Sequence, residues 1–230
     1  MNSLVVLNGS PRGERSNSIQ MLKRVAEGWV RGGGAPPEVL HIVRRPQFQR
    51  AVEAFAGADV VLLGMPLYTD AMPAVVKAYI EALAPRVEAA RSGGANPTLA
   101  FLVQGGFPEA AHSRPLERYL EKLAVRMGSH YAGTIVRGGG ESLQSMPEQA
   151  NRKLWARLKT LGEQLARDGR FGAAELKAVA GTEQFSRFAV MLASLACRIP
   201  IIQFYWNGML KKTGAWERRF AAPYGPAFEE

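Results

Sequence analysis

Cysteine is nearly absent from the 230 residues: Cys197 stands alone. A single thiol excludes an internal disulfide and any iron–sulfur cluster held by the cysteines of one chain. Histidine is also scarce, at three residues. No His, Cys, Asp and Glu grouping has metal-ligand spacing, and nothing resembles a Ser-His-Asp arrangement, so no metal site is expected. Acidic residues are the minority charge, 20 against 29 Lys and Arg, for a net +9. Such a surplus suggests nucleic acid. The cations, however, are spread from Arg12 to Arg219 with no long run and no nucleic-acid motif. No nucleic-acid partner is expected, and anionic cofactors, substrates or lipid headgroups account for the balance. No basic stretch precedes the first apolar run, so no secretory leader is read and a cytoplasmic location is the default expectation.

Long hydrophobic runs are missing too. From Phe188 to Leu210 the only charge is Arg198, but Arg198 and Pro200 sit at the centre of that stretch. A central arginine costs roughly 2.5–3.5 kcal/mol on insertion scales. The apolar runs on either side are too short to cross a bilayer alone. What remains is ordinary globular composition, 47% apolar and 21% charged, in a chain long enough to bury a good core.

The chain is organised around residues 4–18, L-V-V-L-N-G-S-P-R-G-E-R-S-N-S. The run Leu4 to Leu7 fits a strand buried on both faces of a parallel sheet. A polar loop follows, and then Ile19, Leu22, Val25, Ala26, Trp29 and Val30 recur at helical steps. Strand, polar loop and helix N-terminus make an anion site, because the first turn of a helix offers unpaired N–H groups and partial positive charge. Gly9 allows close approach of backbone, Ser10, Ser16 and Ser18 offer hydroxyls, Asn17 an amide, and Arg12 and Arg15 charge. Ser16 or Asn17 also suits a helix cap, with Gln20 closing a capping box from Asn17. The loop lacks G-x-x-x-x-G-K-[ST] and G-x-G-x-x-G, so it is neither a nucleoside-triphosphate loop nor the usual dinucleotide loop.

Further strands are expected at 39–43, 59–64, 98–104 and 131–137. Helices are expected at 47–55, 74–83, 114–127 and 148–167, with a linker near residues 85–97. Five strands alternating with five helices predict a parallel sheet covered by helices. The loops after the first, third and fourth strands have unusual composition, and ligands of open α/β sheets bind at such loops.

The segment G-S-P-R-x-x-x-S-N-S after a first strand resembles the FMN-phosphate loop of the NAD(P)H-dependent FMN reductases. The resemblance covers residues 1–170. It implies the flavodoxin-like α/β fold, a doubly wound five-stranded parallel sheet of order 2-1-3-4-5, with residues 171–230 as a C-terminal helical extension. The loop after the third strand is similar to the family's S-P-x-Y…P-x-x-x-K segment at Pro66, Tyr68, Pro73 and Lys77, with Met65 in place of the usual small residue. Pro66, Leu67, Tyr68 and Thr69 would then meet the ribityl chain and ring. Gln104, Gly105, Gly106 and Phe107 resemble the third flavin loop, with Gly105, Gly106 and Phe107 as its binding residues. The resemblance implies FMN as cofactor and NADPH or NADH as electron donor. It also implies a quinone, free flavin or other small molecule as acceptor, and a homodimer. The flavin carries the chemistry, so no catalytic side chain is expected. Arg12 and Arg15 favour NADPH. A flavodoxin-like electron carrier is the alternative, although such carriers are usually acidic. His41, His112 and His130 read as structural or incidental, and Gly138 to Gly140 as a flexible loop. The extension is expected to pack on the core or across a dimer. Contact with a membrane surface through Lys211, Lys212, Arg218 and Arg219 is the second reading.

Overall fold

The structure is a computed structural model. It describes residues 3–91, 96–144, 146–196 and 204–222. The chain divides into two units, Met1–Gln184 and Phe185–Glu230.

The first unit holds five strands: β1 (Leu4–Asn8), β2 (Glu38–His41), β3 (Val60–Pro66), β4 (Thr98–Gln104) and β5 (Tyr131–Arg137). All pairings are parallel, in the order β2-β1-β3-β4-β5. This is the flavodoxin-like arrangement expected from the alternation. Its seven helices among the described residues are α1 (Asn17–Arg31), α2 (Arg45–Phe55), α3 (Ala74–Ala82), α4 (Ala84–Arg91), α5 (Arg114–Arg126), α6 (Glu148–Asp168) and α7 (Ala173–Ala180).

Alternate residues of the strands feed two cores. Val6, Leu62, Ala100 and Leu102 pack under α1, α6 and α7, with Trp29, Leu158, Leu161 and Val179. Leu7, Leu63, Phe101 and Val103 pack under α2, α3 and α5, with Phe55, Tyr79 and Leu120. Burial on both faces is why β1, β3 and β4 read as unbroken apolar runs. On the first face α1 and α6 touch backbone to backbone. A Cβ on Gly28 would stand 1.9 Å from the Lys159 carbonyl oxygen, and one on Gly162 would stand 2.0 Å from that of Val25.

Two features differ from expectation. The stretch expected as a linker contains α4, because proline fits the first turn of a helix, where its missing N–H is not needed. Ser16 alone caps α1: its Oγ accepts from Ile19 N at 3.2 Å. The third helical position is thus Ile19, and no capping box from Asn17 to Gln20 forms. The first packed unit runs past residue 170, since α7 buries Val179 and Ala180.

The second unit contains α8 (Arg187–Ala196) and α9 (Phe204–Lys212). No helix among the described residues is long and apolar enough to cross a membrane. Cys197, Arg198 and Pro200 lie outside the described residues.

Candidate functional site

Parallel strands end their hydrogen-bond ladders on one side, and here the ladders continue into the loops. Gly9 N donates to Gly64 O at 2.8 Å, Leu67 N to Gln104 O at 2.8 Å, and Gly105 N to Arg137 O at 2.9 Å. The loops after β1, β3 and β4 are thereby drawn to one edge. They form a concavity lined by Ser10, Arg12, Ser16, Asn17, Pro66, Leu67, Tyr68, Gln104, Gly106 and Glu141.

Asn8 holds the first loop in shape, and sequence reasoning passed over it. It is fully buried at the end of β1. Its Nδ2 donates to Gly13 O at 2.8 Å, and its Oδ1 accepts from Ser10 N at 3.1 Å. Ser16 Oγ lies 3.3 Å from Nδ2. The same Nδ2 lies 2.9 Å from His41 Nδ1, because the β1–β2 register sets Asn8 opposite His41. A short turn at Gly13–Arg15, with Gly13 at φ 56°, delivers the chain to the helix.

An amide N–H can donate to the imidazole only if Nδ1 keeps its lone pair, so His41 is neutral with its proton on Nε2. Burial holds the His41 pKa below the ordinary value; Glu14 opposes this, and Arg44 and Lys23 reinforce it. The unfolded chain therefore takes up a proton at higher pH than the folded one. The stability is fully present above about pH 6.5 and is lost as pH falls through the folded pKa. Between about pH 7.5 and about 5.5 the melting temperature should fall more in the wild type than in His41→Gln, whose amide oxygen can accept from Asn8 without titrating. Equal falls would show that His41 does not brace the loop.

The second loop carries strain. Tyr68 N donates to Ala71 O at 2.9 Å and Ala71 N to Tyr68 O at 3.0 Å. Between them Thr69 and Asp70 have φ of 47° and 62°. Two left-handed central residues match a type I′ hairpin, which Gly, Asn and Asp adopt readily. A β-branched residue does not, and such a conformation costs of order 1–3 kcal/mol. Thr69→Asn should therefore stabilise the fold by roughly 1 kcal/mol, or about 2–4 °C in Tm for a chain of this size. A lower Tm would show that the threonine side chain makes a compensating contact.

Eight of the expected residues line the concavity: Ser10, Arg12, Ser16, Asn17, Pro66, Leu67, Tyr68 and Gly106. Gly105 leads into it, and a Cβ there would meet nothing nearer than 3.9 Å. A Cβ on Gly106 would meet nothing nearer than 4.0 Å. Packing within the chain thus does not require these two glycines. Gly9 differs: a Cβ there would stand 2.4 Å from Val76 Cγ2, so core packing alone accounts for it. Ser18 is fully buried behind the loop. Thr69 belongs to the hairpin tip. Phe107 is 71% exposed, with its ring 5.3 Å from that of His112. Lys77 pairs with Glu81 at the surface of α3.

The residues beyond β5 also differ from expectation. Gly138 and Gly140 are buried rather than part of a flexible loop. Gly139 N donates to Phe107 O at 2.6 Å and Gly140 N to Gly105 O at 2.7 Å. This segment clamps the third loop and brings Glu141 to Arg12, at 2.9 Å. Gln104 was expected only as the start of the third loop, and Glu141 was not among the expected site residues. For Glu141 no sequence signal existed, since 129 positions separate it from Arg12.

Three polar atoms test what the site can hold. Asn17 Oδ1, Ser18 Oγ and Gln104 Oε1 are buried with no partner among the described residues. Each such atom costs about 1–3 kcal/mol unless something satisfies it. A half-turn of an amide presents its N–H₂ instead, so all three groups can donate to an anion or a ring heteroatom. The Arg12–Glu141 pair is exposed. Such pairs are worth about 0–1 kcal/mol, so the guanidinium can exchange a carboxylate for another anion at small cost. The residues present therefore fit a phosphate-bearing, flat cofactor. A larger concavity of about 750 Å³ lies over α1 and α6 instead. Two of its cations are already paired, Arg24 with Glu27 and Glu148, and Lys159 with Glu27. Among the described residues no group of His, Cys, Asp and Glu could hold a metal ion.

Solved structures share the fold at low identity. An NADH:FMN oxidoreductase in its apo form superposes with a TM-score of 0.56 at 17% identity, covering 81% of this chain and 97% of its own. An FMN-dependent NADH-azoreductase from Bacillus anthracis str. Ames Ancestor, in complex with FMN, gives 0.54 at 14% identity, with 72% and 100% covered. An NADPH-quinone reductase from P. pentosaceus gives 0.52 at 18%, with 72% and 98% covered. No curated protein matches the sequence. The profile of a family described as having the flavodoxin-like fold matches residues 2–165. With the parallel sheet in its 2-1-3-4-5 order, that match means the chain belongs to the flavodoxin-like fold family.

Proposed function

We propose that this chain is an FMN-dependent oxidoreductase that takes hydride from NADH or NADPH and passes electrons to a quinone, free flavin or other small acceptor. One observation carries the reading: the three loops meet at one edge, where Asn17 and Gln104 bury amide oxygens that have no partner among the described residues. The enzymes with similar folds, an NADH:FMN oxidoreductase, an FMN-dependent NADH-azoreductase and an NADPH-quinone reductase, support it.

In this reading Ser10, Arg12 and Asn17 hold the phosphate, while Ser16 and Asn8 keep the loop in register. Pro66, Leu67, Tyr68 and Thr69 form the wall beside the ring. Gly105, Gly106 and Phe107 lie at its polar edge. When bound, FMN supplies the hydride-accepting and electron-releasing chemistry. The protein supplies position, polarity and a partly dry wall, and no side chain is assigned as acid or base. A homodimer belongs to the same reading.

Anaerobic mixing of the FMN-loaded protein with NADH or NADPH is the test. Bleaching of the flavin absorbance at a catalytic rate is expected, faster with NADPH if Arg12 and Arg15 receive its extra phosphate. A flavin that dithionite reduces but neither nucleotide does would identify an electron carrier instead.

A further inference from the structure

The second unit presents a surface that a water-facing exterior does not need. On α8, Phe188, Met191, Leu192 and Leu195 recur at three- and four-residue steps, which sets them in one stripe. All four are exposed, Phe188 to 64% and Leu195 to 60%. Cations gather in the same unit. Trp216 has the Lys211 ammonium 5.0 Å and the Arg219 guanidinium 3.9 Å from its ring centroid. The Arg219 guanidinium also lies 4.7 Å from the ring of Phe220, which is 86% exposed. Among the described residues of this unit, Arg187, Lys211, Lys212, Arg218 and Arg219 are set against a single acid, Glu217.

We propose that the C-terminal unit docks on the surface of an anionic lipid bilayer. The α8 helix has ten residues, about 15 Å of rise, against a hydrocarbon core of about 30 Å. It is too short to cross and suited to lie in the plane of the interface, with its stripe at the boundary of headgroups and acyl chains. Tryptophan and phenylalanine beside lysine and arginine are the residues of that boundary, where rings enter the apolar layer and cations meet lipid phosphates. A second copy of the chain is the other occupant an apolar stripe could take. It would bring one cationic surplus against an identical one, whereas an anionic surface neutralises it. This inference does not depend on the flavin reading.

The test mixes the full-length protein with vesicles of phosphatidylcholine, with and without phosphatidylglycerol, at low and high salt. Co-sedimentation with the anionic vesicles is expected, with little on the neutral ones, and high salt should weaken it. Leu192→Ser with Leu195→Ser should lower vesicle affinity by roughly tenfold or more, through lost apolar burial. Lys211→Glu with Lys212→Glu should do the same through lost attraction. Thermal melting of the first unit should not change in either variant. The proposal fails if the wild type does not bind anionic vesicles, or if neither variant weakens binding. It also fails if the serine variant converts a lipid-free dimer into a monomer, which would assign the stripe to a second copy.

Discussion

Replacing Ser16 and Asn17 together with alanine should weaken FMN binding at least about tenfold while leaving riboflavin binding nearly unchanged. Hydrogen bonds to charged groups are worth about 1.5–3 kcal/mol each, and riboflavin lacks the phosphate that would receive them. The geometry divides the effect between the two residues. Ser16 Oγ already accepts from Ile19 N and lies within reach of both polar atoms of Asn8. Its loss removes a helix cap, worth roughly 1 kcal/mol, and should appear mainly in the melting of the apo-protein. Asn17 has a buried amide oxygen with no partner among the described residues, so Asn17→Ala should carry most of the affinity loss with little change in stability. Titration of each apo-variant with FMN and riboflavin, followed by flavin fluorescence, separates the two. Equal losses for both ligands would reduce the loop to a helix cap.

Gly28→Ala should destabilise the fold by roughly 3 kcal/mol, about 6–12 °C in Tm, as overpacking of a tight core does. Helix propensity alone predicts the opposite sign, since alanine is favoured over glycine in a helix by about 1 kcal/mol. Packing decides, because the added methyl would stand 1.9 Å from Lys159 O and 2.8 Å from Lys159 Cα. Backbone atoms of a neighbouring helix cannot turn aside as a side chain can. Gly57→Ala is the control, since a Cβ there meets nothing within 4 Å; it should be neutral or slightly stabilising. Thermal melting of the two variants beside the wild type is the measurement, and a stabilised Gly28→Ala would mean that α1 and α6 separate easily.

The architecture was legible because both of its signals are local. Strands buried on two faces read as apolar runs, helices read as periodic stripes, and their alternation allows few topologies. The first loop was legible for the same reason: strand, polar loop and helix start are contiguous in sequence. What the sequence did not reveal depends on partners far apart along the chain. Asn8 is unremarkable until the sheet register places His41 beside it. Gly28 and Gly162 carry no local signal, and their role appears only where the two helices cross. Thr69 and Asp70 lack the usual glycine or asparagine of a tight hairpin, so the turn was hidden in its strained residue. Glu141 reaches Arg12 only because buried glycines fold the chain back after β5. Pro85, read as a break, begins a helix instead.

The most direct test of the central claim is the absorbance spectrum and mass analysis of the purified protein, followed by titration of any apo-fraction with FMN. A flavin spectrum, FMN released at one per chain and saturable rebinding are the expected result. Absence of bound flavin together with no binding on titration would contradict the account, whatever other ligand the loops then proved to hold.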